Sequence, residues 1–193
     1  MIGRRSPRFA ALGLALSLPG TAFADCNSTT PNTGESVTCT PAAPNPSTQG
    51  VVAQAGSSGV SVDIASDTLL DVATGPGVHL RSDSRVDNAG SITLLADNSW
   101  DALFADGNGN TLLNRGSLMT ADATADGIQV NGSNNTLTNA AGATIATSGS
   151  NANGLLSAGG TGNTLVNAGS ITTTGADSAG IRVQVGSAHT LLN

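Results

Sequence analysis

Apolar and polar residues alternate in short runs along most of the chain, and the runs recur. Asn110-Thr-Leu-Leu-Asn114 returns as Asn135-Thr-Leu-Thr-Asn139, Asn163-Thr-Leu-Val-Asn167 and His189-Thr-Leu-Leu-Asn193, with a degenerate copy at 84–88. The closing asparagines, Asn88, Asn114, Asn139, Asn167 and Asn193, are spaced by 26, 25, 28 and 26 residues. A Gly-x-Ile-like step follows, as in Asn88-Ala-Gly-Ser-Ile92 and Asn167-Ala-Gly-Ser-Ile171; the copy Asn139-Ala-Ala-Gly-Ala-Thr-Ile145 carries extra residues. About twelve residues after each Asn comes a third element, such as Gly127-Ile-Gln-Val130 and Gly180-Ile-Arg-Val183, with an early copy at Gly77-Val-His-Leu80. Alternation with period two marks half-buried strands, not helices. One period cannot bury its apolar side alone, whereas stacked periods can. The expected fold is therefore all-β: a right-handed parallel β-helix with three short strands in each coil of about 26 residues.

Positions then acquire roles. Val86, Leu112, Leu137, Leu165 and Leu191 should stack as one inward row. Ile92, Leu118, Ile145 and Ile171 form a second, and Val78, Leu103, Ile128, Leu155 and Ile181 a third. Full burial of such side chains contributes about 1.5–3 kcal/mol each before chain entropy is counted. The five closing asparagines are expected at corners, where stacked amides hydrogen-bond along the axis and Asn tolerates left-handed backbone. Gly90, Gly116, Gly142 and Gly169 are expected where the chain turns sharply.

Composition supports this plan. Gly, Thr, Ser and Asn together fill 86 of the 193 positions, aromatics are only 2%, and Tyr and Lys are absent. An ordinary aromatic core is thereby excluded, while 38% hydrophobic residues suffice for aliphatic rows. With a net charge of −6, the chain has nothing to neutralise phosphates, so nucleic acid is not an expected partner.

Residues 1–24 read as a secretory signal peptide. Arg4, Arg5 and Arg8 precede the apolar stretch Phe9 to Leu18, and Ala22-Phe23-Ala24 is a small-x-small cleavage site. Cys26 and Cys39 are the only cysteines, and in an exported chain they should form one disulfide. Residues 25–58 are expected to be an N-terminal cap and linker, with Pro41, Pro44 and Pro46 in its second half. The β-helix repeats then occupy 59–193.

The run Gly162-Asn-Thr-Leu-Val-Asn-Ala-Gly-Ser-Ile171, followed by Ser178-Ala-Gly-Ile-Arg-Val183, resembles the passenger domains of bacterial type V autotransporters. The mature start, with Cys26, Cys39 and a Pro/Thr-rich lead-in, is similar to the beginning of many such passengers. The resemblance implies export to the periplasm, then display at the cell surface or outer membrane, or release. It also implies a C-terminal outer-membrane β-barrel as partner. A chain with one Trp and no Tyr lacks the aromatic girdles of that barrel. The chain stops mid-repeat at Leu191-Leu192-Asn193, so a fragment or truncated product is expected. The function implied is a structural stalk, and an adhesin or self-association module whose contacts are host or bacterial surface ligands or its own copies. The alternative is a β-helical polysaccharide-active enzyme, a lyase or hydrolase. Release by a separate partner barrel would call for Asn-Pro-Asn motifs, and Asn45-Pro46 is followed by Ser47.

Candidate chemistry is sparse, and no catalytic, cofactor or metal residue is assigned. His189 takes the place of the Asn that opens the motif, so a corner role is expected. Alternation points His79 outward between Val78 and Leu80. No Gly-x-Ser-x-Gly elbow is present. Asp101, Asp106, Asp122 and Asp126 are the densest acidic group, and Asp101 and Asp122 lie in comparable stretches of neighbouring coils. Paired carboxylates serve glycoside hydrolysis; solvated turn acids are the simpler account. Asp106-Gly-Asn-Gly-Asn110 echoes a Ca²⁺ loop, but Thr111 stands where the loop needs Gly and no Glu closes it. No cofactor is expected beyond fortuitous Ca²⁺ near Asp106. Trp100 and Phe104 flank a third-element strand, either as a bulge packing on the solenoid wall or as a small contact patch.

Overall fold

A computed structural model describes residues 25–41 and 46–193. The expected signal peptide at 1–24 lies outside the described residues, as does Asn45. The described chain is all-β, with nineteen strands wound into a parallel β-solenoid of about six coils. In chain order the first strands are β1 (Asp25–Cys26), β2 (Ser36–Thr40), β3 (Val51–Val52), β4 (Ser61–Ile64), β5 (Leu69–Val72) and β6 (Val78–Leu80). Next come β7 (Arg85–Asn88), β8 (Ser91–Leu94), β9 (Leu103–Asp106), β10 (Thr111–Asn114), β11 (Ser117–Thr120) and β12 (Ile128–Asn131). The last are β13 (Thr136–Asn139), β14 (Thr144–Thr147), β15 (Leu155–Gly159), β16 (Thr164–Asn167), β17 (Ser170–Thr173), β18 (Ile181–Val183) and β19 (Thr190–Leu192).

Three sheets form the walls. Sheet A has the order β1-β2-β4-β7-β10-β13-β16-β19, sheet B runs β5-β8-β11-β14-β17, and sheet C runs β3-β6-β9-β12-β15-β18. The three expected rows are register partners across these sheets. Val86, Leu112, Leu137, Leu165 and Leu191 pair in sheet A. Ile92, Leu118, Ile145 and Ile171 pair in sheet B, and Val78, Leu103, Ile128, Leu155 and Ile181 in sheet C. Each row extends one or two coils towards the N-terminus, through Val62 and Val37, Leu70, and Val51 respectively. A fourth inward row, Leu80, Ala105, Val130, Ser157 and Val183, lines sheet C, and Val72, Leu94, Thr120 and Thr147 are buried along sheet B. Like aliphatic side chains stack because neighbouring coils are only ~4.8 Å apart. The interior is filled to zero exposure from Val37 to Leu165 along sheet A, except Val86 at 1%.

The 28-residue spacing of Asn139 and Asn167 has a structural source. Two extra residues form the turn at 140–143, where Ala143 N–H donates to Ala140 O (3.0 Å). One more is absorbed where the register shifts from Val130–Ser157 to Asn131–Gly159. Two of the three extra residues therefore stay in a loop, and the third is a bulge within β15.

All four glycines lie at bends or turns between sheets A and B, as expected, but for two different reasons. Of the four, only Gly142 has positive φ, at 82°. Gly90, Gly116 and Gly169 instead permit close approach between coils: a methyl at Gly116 would run into the carbonyl of Gly90, and one at Gly169 into those of Ala143 and Ala140. The closing asparagines are not left-handed either. Left-handed non-glycine backbone falls at outer turns, at Asp67, Asp83, Asp97, Thr124, Asn134, Asn151, Asp177 and Ala188. Most are Asp or Asn, whose short polar side chains tolerate that region.

At the N-terminal end every sheet edge is covered. Strand β1 lies antiparallel on β2, and the Cys26–Cys39 disulfide joins these two register partners. Along β3, Val52 N–H donates to Thr29 O (2.8 Å) and Gln54 N–H to Pro31 O (3.0 Å). Ser47 bridges to Leu70 on β5. Ser36–Thr40, Ser47 and Val51–Val52, expected as cap and linker, thus supply the first rungs of sheets A, B and C respectively. Such coverage removes the unpaired edge that invites association. At the other end Ile171, Ile181 and Val183 are half-buried, while Leu191 and Leu192 are 50% and 54% exposed.

Candidate functional site

Each of the three corners of the solenoid carries a ladder of buried polar side chains. Leaving sheet A, Asn88 Nδ2 donates to Asn114 Oδ1, Asn114 to Asn139 and Asn139 to Asn167, each at 2.9 Å, and Asn167 to Asn193 at 2.8 Å. Asn88, Asn114 and Asn139 are fully buried. The amide suits this place because it donates to one neighbour and accepts from the other. In the first two coils the same register position holds Cys39 and Ile64, so apolar contact replaces the ladder there.

Entering sheet A, a second ladder points at backbone. Val60 N–H donates to Ser84 Oγ (3.0 Å), Ser84 N–H to Asn110 Oδ1 (3.0 Å), Asn110 N–H to Asn135 Oδ1 (2.8 Å) and Asn135 N–H to Asn163 Oδ1 (2.8 Å). His189 continues it: its Nδ1 accepts from Asn163 N–H at 3.3 Å. His189 therefore sits at the expected corner and serves as an acceptor.

The third ladder, entering sheet C, contains acids. Asp101 Oδ1 accepts from Asp126 N–H (2.7 Å), Asp126 Oδ1 accepts from the backbone and side-chain amides of Asn153, and Asn153 Oδ1 accepts from Ala179 N–H (3.1 Å). Sequence spacing suggested Asp122 as the neighbour of Asp101. The structure places Asp126 there, while Asp122 Oδ1 closes its own turn on Ala123 N–H (2.8 Å). The missed signal is the residue just before the third-element strand, Asp101, Asp126 and Asn153, which recurs once per coil. Burial holds the Asp101 carboxyl well above the usual carboxylate range, and the charge of Asp126 adds to this. Burial likewise pushes Asp126 up to about 6, against the hydrogen bonds from Asn153 and the charge of Arg182.

The outer face of sheet C is the chemically richest surface. His79 and Phe104 are register partners there, with ring centroids 4.5 Å apart, and Trp100 lies 6.4 Å from the histidine ring. His79 does point away from the core, yet it is only 7% exposed because these rings cover it. Its burial, with Arg81 nearby, lowers its pKa to about 4, so it is neutral at physiological pH. Trp100 remains 46% exposed. Further along β6 and β9, Arg81 Nη1 pairs with Asp106 Oδ2 at 3.3 Å. The Asp106 carboxylate, considered for Ca²⁺, is thus turned to an arginine. Among the described residues no three His, Cys, Asp or Glu side chains cluster as a metal site.

Two open grooves flank this face. One, of about 370 Å³, is bounded by Ala55–Ser58, Arg81, Ser82 and Asp106. The other, of about 320 Å³, is bounded by Asp126, Gln129, Asn153, Leu156 and Arg182 among others. Outward salt bridges Arg85–Asp63 (2.9 Å) and Arg115–Asp87 tie coils together on sheet A. No protein-family model matches the chain, and neither a curated protein nor a solved structure shows significant similarity to it.

Proposed function

We propose that the chain is the stalk-like part of an exported passenger, displayed at the cell surface and making adhesive or self-associating contacts through its outer faces. The observation that carries this is the continuous parallel pairing of about six coils beneath a capped N-terminal end. Such a body is rigid, since each coil is pinned to the next by backbone ladders on three walls and side-chain ladders at three corners. Its walls repeat small hydroxyl side chains outward, as in Ser91, Ser117, Thr144 and Ser170 on sheet B. Many weak contacts on a rigid surface add through effective concentration.

Two measurements test the proposal. Expression in a Gram-negative host should give an exported chain whose N-terminal sequencing starts at Asp25; retention of residues 1–24 would refute export by this signal. Beads coated with the chain should adhere to cells or to one another above an uncoated control, and indifference of the beads would refute the adhesive role.

A glycan-active enzyme is the second reading, supported by Asp126, whose raised carboxyl borders the 320 Å³ groove beside Arg182. Its Oδ1 is already committed to Asn153. Reducing-sugar release from polygalacturonate or neutral glycans, abolished by Asp126→Asn, would favour this reading over display.

A further inference from the structure

Trp100 and Phe104 are the only Trp, Phe or Tyr among the described residues, and they meet on one histidine. The loop bearing Trp100 is anchored: Asn98 Nδ2 donates to Val72 O (3.0 Å) and Gly75 O (2.9 Å), and Asn98 Oδ1 accepts from Trp100 N–H (3.4 Å). The indole is therefore a positioned ring, yet nearly half of it faces water. One side of the ring covers His79, and the other is a positioned apolar surface open to a contact.

Polar groups of both signs lie beside it. Arg81, two residues along β6 from His79, donates to Asp106. Beyond His79, Arg81 and Asp106 border the open groove lined by Ala55–Ser58 and Ser82. The arrangement thus offers an aromatic plane, donors, and a carboxylate acceptor, all without local net charge.

We propose that this face binds a neutral saccharide, with the apolar C–H face of one sugar ring stacked on Trp100 and hydroxyls of the chain hydrogen-bonded by the Arg81–Asp106 pair. Hydroxyls both donate and accept, so they use the arginine and the aspartate together. An acidic glycan fits less well, because Asp106 already answers the guanidinium and the chain carries a net charge of −6. The assignment rests on the display reading and gives the displayed surface its ligand class.

The test uses the only tryptophan as its reporter, with no tyrosine to interfere. The 193-residue chain is titrated with neutral tri- and tetrasaccharides of glucose, galactose, mannose and N-acetylglucosamine while indole emission is followed. A saturable change with at least one of them is expected. By calorimetry, Trp100→Ala should weaken that binding at least tenfold, and Asp106→Asn severalfold, with unchanged thermal unfolding for Trp100→Ala. No response to any sugar, or equal affinity of Trp100→Ala, overturns the assignment. Coated beads that adhere equally with and without Trp100 would leave the display reading standing and remove this site. Sugar binding by a chain whose beads do not adhere would do the reverse.

Discussion

At the corner that leaves sheet A, Asn88, Asn114 and Asn139 stack as neutral amides, each donating to the next rung, and Asn114 and Asn139 also accepting from the rung before. At the corner that enters sheet C, Asp101 and Asp126 fill the rungs instead, and only at Asn153 does an amide return. Both corners meet the same demand, buried polar groups one coil apart. An ionised carboxylate can only accept, so a stack of two brings burial and like charge together. That difference makes the amide corner indifferent to pH and the acid corner sensitive to it.

Exchanging the chemistry of the two corners is the strongest way to break the comparison. Asn114→Asp would place an unpaired charge at zero exposure and leave Asn139 Oδ1 without its donor. A loss on the order of 3–5 kcal/mol at pH 7 is expected from denaturant unfolding. Asp126→Asn is expected to act in the other direction. The folded pKa of Asp126 lies above its unfolded value, so its favourable contribution is fully present below about pH 3.8 and is lost as pH rises through about 6. The asparagine variant should therefore gain on the order of 1–2 kcal/mol at pH 8 and nothing at pH 3.5. Smallest is Arg115→Ala, which removes an outward pair on sheet A, between Arg115 and Asp87, that touches neither corner. A change of about 0.2–1 kcal/mol, shrinking in salt, is expected. A larger effect would mean that outer salt bridges, not the corner ladders, hold neighbouring coils together.

The strict period explains why so much was legible. Once Asn88, Asn114, Asn139, Asn167 and Asn193 were aligned, one inward row per sheet had its partners, and those three rows match the observed register. The first two coils were not legible as coils because they lack the motif; Cys39 and Ile64 stand where Asn would announce the corner. The acid ladder was missed for a related reason: Asp101, Asp126 and Asn153 share a position but not a residue type. Of the candidate contact site, Trp100 and Phe104 were visible in the sequence. Their junction through His79 was not, because it depends on a loop folding back over the sheet.

The most direct test is the stability of two single variants across pH, measured by urea unfolding from pH 3.5 to 8. Corner ladders that differ only in chemistry predict opposite outcomes at pH 8: Asn114→Asp less stable than the parent chain and Asp126→Asn more stable, with the Asp126→Asn advantage vanishing at pH 3.5. Two variants that shift stability in the same direction, or an Asp126→Asn difference that is constant across pH, would contradict it.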